Sequence, residues 1–572
     1  MSVSDPGSFE FGPFRLDTGT RVLWRAEQIV PLTPKAVAVL EALVERSGDV
    51  VLKKELLARA WPDAAVQEAN LSVTVAALRK ALGSQEDGTS YIQTVSRRGY
   101  RFAGPLRPGS PVPRLALAVL PFACLGPETE SHLGVGLADA LIGRLTEADE
   151  LRVRPTGAVV HYAALPRPPR EAAAELGVDA VVAGTIQRAG ERVRVSVQLV
   201  PLAAALRPWA DSFDAEWTHL FTVQDELAER VARALHLRLA SAPKPRRPRT
   251  PSREAYDSYL RGRYFWARFD PEGLGKAFGY FGDAISRDAE YAAPQAGLAS
   301  AHLLLGMGGL TPPREAWDRA GACAERALRL DPSLAEAHLS GAFALLFRDW
   351  DWQGARTALD HAVSAGPRVA SVHLWRALFL ALAGDHPEAR RSLEVGRDID
   401  PLSGLATALL CLFHEVEGEH EEALALARKA VELRPDRFLG YWSLGLANVF
   451  LGHGTSAEKA LGRAVELTSG GPVMRAHLAW AAARAGRTER ARRELMELDA
   501  LSKTTYISPC QRAAVLGALG EIDAGLSRIE EGAEERDAWT VFLRVDPLFE
   551  PYRGQARFES VVRRTRPGRP SP

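Results

Sequence analysis

The sequence predicts three folded regions in one chain: an α+β amino-terminal domain, an α/β middle domain and an all-α solenoid. Three observations carry this reading. Short apolar alternations, amphipathic helices and a basic hairpin fill residues 8–104. Two Pro-rich stretches then isolate a region in which apolar strands alternate with helices. From residue 253 onward, small residues recur at a 34-residue interval, the period of a two-helix repeat.

The chain has 572 residues, too many for one core, and ~150 residues per domain points to three or four units. Hydrophobic residues make up 46% and charged residues 25%, as in ordinary globular protein. Lys+Arg and Asp+Glu both number 71, so the whole chain is no basic coat for nucleic acid and any such contact must come from local charge. Cys124, Cys323, Cys411 and Cys510 stand far apart without zinc spacing and read as reduced core residues. No basic leader and no apolar run near the ~18 residues of a membrane span is present, so a cytoplasmic chain without a membrane partner is expected.

In residues 8–104, Phe9, Phe11, Phe14 and Leu16, then Val22, Trp24, Ile29 and Val30, alternate with polar residues as short antiparallel strands. Thr33 is placed to cap a helix with Pro34 in its first turn; Val37, Leu40 and Val44 form its buried stripe and Gly48 ends it. A second helix spans 53–61 and stops at Pro62. In a third, 66–83, Leu71, Val75, Leu78 and Leu82 share one face, while Ala69, Asn70, Val73, Ala76, Ala77 and Lys80 lie opposite. Short side chains let that outer face approach a surface closely, with Arg79 and Lys80 in reach of anions beside it. A hairpin follows, with Tyr91, Arg97, Arg98, Tyr100 and Arg101 around Gly99, and no acid occurs after Asp87 until Glu128.

Three runs, Leu78-Arg79-Lys80-Ala81-Leu82-Gly83, Tyr91-Ile92-Gln93-Thr94-Val95 and Arg98-Gly99-Tyr100-Arg101-Phe102, resemble the OmpR-type winged-helix domain, most closely its CadC-like branch. The resemblance implies that 66–83 holds a recognition helix lying in the major groove of double-stranded DNA, with 97–101 as a wing over phosphates or the minor groove. The residues offered to DNA are then Asn70, Val73, Thr74, Ala77, Arg79 and Lys80 from the helix, and Thr94, Arg97, Arg98, Tyr100 and Arg101 from the hairpin. Ala76, Ala77 and Ser96 stand where relatives often carry arginine, so methyl contacts and DNA shape should contribute more than bidentate base reading. Taken alone, a basic hairpin beside an amphipathic helix also fits a solvated face; the ordered match along the domain points to DNA. With few residues before the first strand, no phosphorylated receiver domain is expected in front of it.

Pro105, Pro108, Gly109, Pro111 and Pro113 make 105–114 a stiff linker. The middle domain, 115–240, reads as a mixed sheet with helices. It has an apolar strand from Leu115, a helix with Leu137, Leu141 and Leu145, a strand over 180–186, alternating Val193, Val195, Val197 and Leu199, and a last helix with Val223, Leu227, Val231 and Leu235. The phrases AVLPF, GLADALIGRLTE, ELGVDAVVAGTI and FTVQDELAERV resemble the TolB-like amino-terminal domain, which implies interaction or assembly rather than catalysis. Gly134 and Gly136 precede no phosphate-loop lysine and fit a helix start. A second Pro-rich, basic linker covers 241–252.

In 253–540, alanine stands at 277, 320, 355, 389, 423 and 457, with a small residue seven positions after each. A second column holds Ala377, Cys411, Gly445, Ala479 and Ala513, and prolines recur at 332, 367, 401 and 435. This is the tetratricopeptide period; about eight units precede a cap and basic tail over 541–572, with an insertion near 306–313. Such arrays bind peptides or proteins along one face, for which Leu439, Trp442, Leu446, Val449 and Phe450 are the candidates, an apolar segment or another copy being the expected occupant. The same residues equally fit packing against the next unit.

No catalytic set is expected. His414, Glu415 and His420 in HEVEGEH do not form HExxH, and GHGTSAEK at 452–459 falls at an inter-helix turn, so neither metal nor cofactor is predicted. The resemblances together imply a transcriptional regulator, dimeric on paired half-sites, whose array senses a partner. A scaffold in which the winged helix binds protein, and a regulatory subunit of a cyclase-like enzyme, remain the alternatives.

Overall fold

Alternating apolar residues pair as antiparallel ribbons at the start of the chain, and the first of these, β1 (Ser8–Phe11), turns at Gly12 and Pro13 into β2 (Phe14–Asp17). The computed structural model describes residues 8–17, 22–25, 28–30, 32–61, 68–85, 88–96, 98–105, 107–108, 115–125, 131–146, 148, 151–163, 166–190, 192–202, 206–216, 220–235, 250–268, 271–401 and 403–566. Val66, Arg97 and most of the second Pro-rich stretch lie outside them. The chain divides into two compact units, residues 1–115 and 116–572.

In the first unit β3 (Val22–Arg25), β4 (Gln28–Val30), α1 (Pro34–Val44), β5 (Val50–Leu52), α2 (Lys53–Ala60), α3 (Glu68–Leu82), β6 (Ile92–Val95), β7 (Gly99–Phe102) and β8 (Arg107–Pro108) follow in order. One sheet runs β4-β3-β2-β1-β8 and a second runs β5-β7-β6. Arg107 and Pro108, at the start of the Pro-rich stretch, thus add an edge strand to the first sheet. Thr33 caps α1 by accepting from the Ala36 N–H at 3.2 Å, and Pro34 occupies the first turn, where a missing N–H costs nothing. Leu71, Val75, Leu78 and Leu82 of α3 are buried in a core with Leu40, Phe11, Tyr91 and Phe102. Full burial of one such side chain stabilises by about 1.5–3 kcal/mol, so this stripe fixes the rotation of α3.

The second unit opens with β9 (Leu115–Val119), β10 (Ala123–Cys124), α4 (Ser131–Leu145), β11 (Leu151–Val153), α5 (Thr156–Val159), α6 (Pro169–Leu176), β12 (Ala180–Ala189), β13 (Arg192–Pro201), β14 (Trp209–Glu216) and α7 (Leu220–Ala234). Their sheet runs β11-β9-β12-β13-β14, with β12 parallel to β9 and antiparallel to β13. Val193, Val195, Val197 and Leu199 are buried, as their alternation requires.

Antiparallel helix pairs then run from α8 (Arg253–Arg268) and α9 (Pro271–Arg287) to α22 (Pro509–Ala518) and α23 (Ile522–Glu535), followed by α24 (Ala556–Thr565). Their spacing follows the small-residue columns: Ala277, Ala320, Ala355, Ala389, Ala423 and Ala457 are fully buried, as are Ala377, Ala479 and Ala513. At Gly445 an added Cβ would lie 2.4 Å from Leu461 Cγ, so the helices there close to a distance that only glycine permits.

Two sets of ties hold the second unit together. The middle domain docks on the helix array through Arg263, which reaches Asp139 at 3.2 Å and Glu336 at 3.1 Å, and through His132, 2.6 Å from Asp257. Arg154 donates to the Leu176, Gly177 and Ile399 carbonyls, and Arg368 to those of Thr146 and Ala148. The end of the array also returns to its beginning. Trp317 Nε1 donates to the Arg536 carbonyl and Trp352 Nε1 to that of Thr565, each at 2.8 Å, while the Arg536 guanidinium lies 3.5 Å from the Trp350 ring centre. Among the described residues no helix is long and apolar enough to cross a membrane.

Two outcomes follow from this packing. Arg263→Ala removes the cation that Asp139 and Glu336 share at a half-buried junction and should loosen the middle domain by a few kcal/mol, seen as a separate early transition in urea unfolding of the full chain. Gly99→Ala would place a Cβ 2.0 Å from the Val51 carbonyl oxygen, and should destabilise the first unit by about 2 kcal/mol or more, read as early proteolysis of that unit.

Candidate nucleic-acid interface

With its apolar stripe held in the core, α3 turns the opposite side outward: Ala69, Asn70, Ser72, Val73, Ala76, Ala77 and Lys80 are exposed. Val73 is 70% exposed, an apolar side chain at the centre of a short-chained face. Thr74, half-buried, bonds back to the Asn70 carbonyl at 2.8 Å and so presents its methyl rather than its hydroxyl.

Beside this face stands the hairpin of β6 and β7, with Thr94 opposite Tyr100 and Gln93 opposite Arg101. Gly99 lets β7 close on β5, and the Arg98 N–H donates to the Val95 carbonyl at 3.0 Å to form the turn. Arg98 and Thr94 are exposed. Arg101 donates to Gln93 Oε1 at 2.6 Å across the strands. Tyr100, 6% exposed, is largely a core residue whose hydroxyl lies 3.4 Å from Ser72 Oγ on α3.

Arg79 has a different environment from Lys80. Its Nε donates to the Ile92 carbonyl at 2.9 Å and its Nη2 to Thr94 Oγ1 at 2.8 Å, so the guanidinium ties the helix to the hairpin. The structure therefore brings Asn70, Val73, Ala77 and Lys80 together on one exposed strip and sets Thr94 and Arg98 on the adjoining hairpin. Arg79, Tyr100 and Arg101 are engaged within the domain, and Arg97 lies outside the described residues. Two residues escaped the sequence reading. Ser72 joins helix to hairpin, and exposed Lys54 stands at the start of α2, where the Lys53 N–H meets the Arg98 carbonyl at 3.4 Å. A double lysine at a helix start was the available signal for the latter.

In the array, the candidate groove residues lie on α18 (Phe438–Phe450). Leu446 and Val449 are each 8% exposed and belong to the continuous core, while Leu439, Trp442 and Phe450 are half-buried. Trp442 stacks edge-on against His477 at 5.6 Å, and His477 in turn meets Trp539 at 6.0 Å. Burial pushes His477 down to about 4, so this ring is neutral among its aromatic neighbours.

In HEVEGEH, Glu415 Oε2 lies 2.5 Å from His420 Nδ1, and burial raises the Glu415 carboxyl against the opposing pull of His420. His414, Glu417 and Glu419 gather with ligand-type atoms within 4.8 Å of one another, but His414 is hydrogen-bonded to Glu419 and Glu417 is paired with Arg390. A cleft of about 570 Å³ opens in the middle domain over Thr185, Ser196 and Gln198, walled by Tyr162, Pro166 and Arg167.

Comparison with known proteins bears on both amino-terminal regions. Residues 27–102 match the family "Transcriptional regulatory protein, C terminal", and residues 114–230 match "HilA/YgeH-like transcriptional regulator, second domain". Transcriptional regulator HilA of Salmonella typhimurium is 40% identical over 118 residues, covering 20% of this chain and 21% of that protein. Putative adenylate cyclase 3 of Rhizobium meliloti is 27% identical over 261 residues, 43% of this chain and 42% of that protein. The solved DNA-binding domain of E. coli CadC is similar at 25% identity and a TM-score of 0.17, over 18% of this chain and 98% of that domain. The matched stretches thus span about a fifth of HilA and about two fifths of the cyclase. A winged helix of the transcriptional-regulator type over residues 27–102 is thus followed by a HilA-like regulator domain over residues 114–230.

Proposed function

We propose that this protein is a cytoplasmic, DNA-binding transcriptional regulator whose winged helix contacts double-stranded DNA and whose repeat array binds the protein or peptide that controls it. The observation that carries the reading is the strip of Asn70, Val73, Ala77 and Lys80. These short or basic side chains are all exposed, on a helix whose rotation is locked by Leu71, Val75, Leu78 and Leu82. In a major groove, Val73 and Ala77 would meet thymine methyl groups and Asn70 an adenine edge, while Lys80 and Arg98 would take phosphates on either side. Arg97 is assigned to the same phosphate contacts from its place in the sequence.

Arg79 takes a second role in this reading. It holds the hairpin against the helix, so that base-reading and phosphate-gripping surfaces keep one spacing. The middle domain, TolB-like in its sequence phrases, serves as coupler between array and output. The tetratricopeptide-type array presents the half-buried Leu439, Trp442 and Phe450 to its partner, while Leu446 and Val449, expected on the same face, are taken up by the core; a second copy supplies the affinity that one helix with few bidentate contacts lacks.

Gel-shift titration of the full chain against genomic and random duplexes at two salt concentrations tests the reading. No binding at low salt would leave the winged helix as a protein-binding module of a scaffold. Replacing Lys80, Arg97 or Arg98 by alanine should weaken binding to every sequence and flatten the log–log salt slope by about one each. Arg79→Ala should also weaken binding, yet its signature is structural: a loss of about 1 kcal/mol or more in stability of the first unit, with the salt slope of the residual binding little changed.

A further inference from the structure

The seam at which the end of the array returns to its beginning gathers hydrogen-bond donors and positive charge without a matching acceptor. Arg536, which ends α23, lays its guanidinium 3.5 Å from the ring centre of Trp350, which ends α12 (Ala335–Asp349). Both residues hold a left-handed backbone, with φ +62° and +56°, and Ser469 is the one other non-glycine among the described residues that does so. Trp350 is 8% exposed, yet its indole Nε1 is buried without a hydrogen-bond partner, and so is Nη1 of Arg536. Indole and guanidinium groups only donate, so neither orphan satisfies the other. A buried donor left unpaired carries its full desolvation cost.

Like charges press on this pair. Burial, and next the charge of Arg314 on α11 (Pro313–Leu330), lower the Arg536 guanidinium from its usual range; Asp349 opposes the shift and Arg564 of α24 adds to it. Asp349 is itself taken by Arg348 at 2.8 Å, and Arg314 meets Glu534 through the backbone carbonyl, at 2.5 Å. Guanidinium groups from α11, α23 and α24 thus meet where the neighbouring carboxylate is already spent. Arg314 and Arg564 are exposed, so the cluster opens to solvent on one side and is closed by Trp350 on the other.

We infer that this seam is a binding site for a phosphoryl group, free or carried on a small molecule. Such a group offers only acceptor oxygens and close to two negative charges at neutral pH, and guanidinium forks match those oxygens in pairs. It accepts from Trp350 Nε1 and Arg536 Nη1, which lie on planes stacked 3.5 Å apart, while Arg314 and Arg564 balance its charge. Because these residues come from both ends of the array, the ligand binds the closed seam and stabilises it by mass action. The inference requires no DNA and stands apart from the reading of the winged helix.

Calorimetric titration of the full chain in phosphate-free buffer at constant ionic strength is the test, with inorganic phosphate in one arm and AMP in the other. One site per chain is expected, with a Kd below ~1 mM in at least one arm. Tighter phosphate assigns the free anion and tighter AMP an esterified one. Arg564→Glu, at an exposed position, should weaken binding about tenfold or more, whereas Arg563→Glu, the same charge change on the exposed neighbour, should alter it less than about twofold. Trp350→Phe keeps a ring beneath Arg536 but removes the N–H, and should also weaken binding about tenfold. Far-UV circular dichroism and thermal melting confirm that each variant is folded. Failure of both ligands to bind at ~10 mM overturns the inference. So does binding that Arg563→Glu weakens as much as Arg564→Glu, which is generic attraction to positive charge, or binding indifferent to both Arg564→Glu and Trp350→Phe.

Discussion

Close approach of backbones governs both units, and it depends on positions where no side chain extends beyond Cβ. In the first unit the constraint is Gly99, whose missing Cβ lets β7 pair with β5 at Val51. In the second it is the column of buried alanines from Ala277 to Ala457, with Gly445 packed on Leu461. A side chain at any of these would push one element off its neighbour, and the displacement would propagate because interiors pack densely and do not deform gradually.

Arginine does the complementary work. Arg79 brackets helix and hairpin, Arg263 of the first hairpin bridges Asp139 of the middle domain and Glu336 of the array, and Arg154 and Arg368 cap backbone carbonyls across the same junction. A guanidinium is suited to this because its planar fork can satisfy several acceptors at once while keeping its charge. The consequence is that a sequence rich in arginine beside the exposed face of α3 overstates how many of its charges face outward. Arg79 is held to the hairpin, Arg101 is tied to Gln93, and Lys80 and Arg98 stand exposed.

The array adds a long-range element that no single repeat contains. Trp317, Trp350 and Trp352, from the early hairpins, meet the backbone or guanidinium groups of Arg536 and Thr565 near the carboxyl end. Trp539 likewise reaches His477. These aromatic side chains bury large areas and still satisfy their indole N–H groups where a carbonyl is offered, which makes them effective at a closing seam.

The sequence by itself determined what local physics decides. The stripe of Leu71, Val75, Leu78 and Leu82, the cap at Thr33 and the alternation of Val193 to Leu199 follow from 3.6- and 2-residue periods and appear as read. The array's spacing was legible for the same reason: each unit repeats one local rule. Tertiary structure alone decided which charges are spent internally, as with Arg79 and Arg263, and how the carboxyl end meets the early hairpins. Those outcomes join residues as much as 245 positions apart, as Arg154 and Ile399 are, and a one-dimensional pattern holds no information on which distant carbonyl or carboxylate a flexible side chain will find.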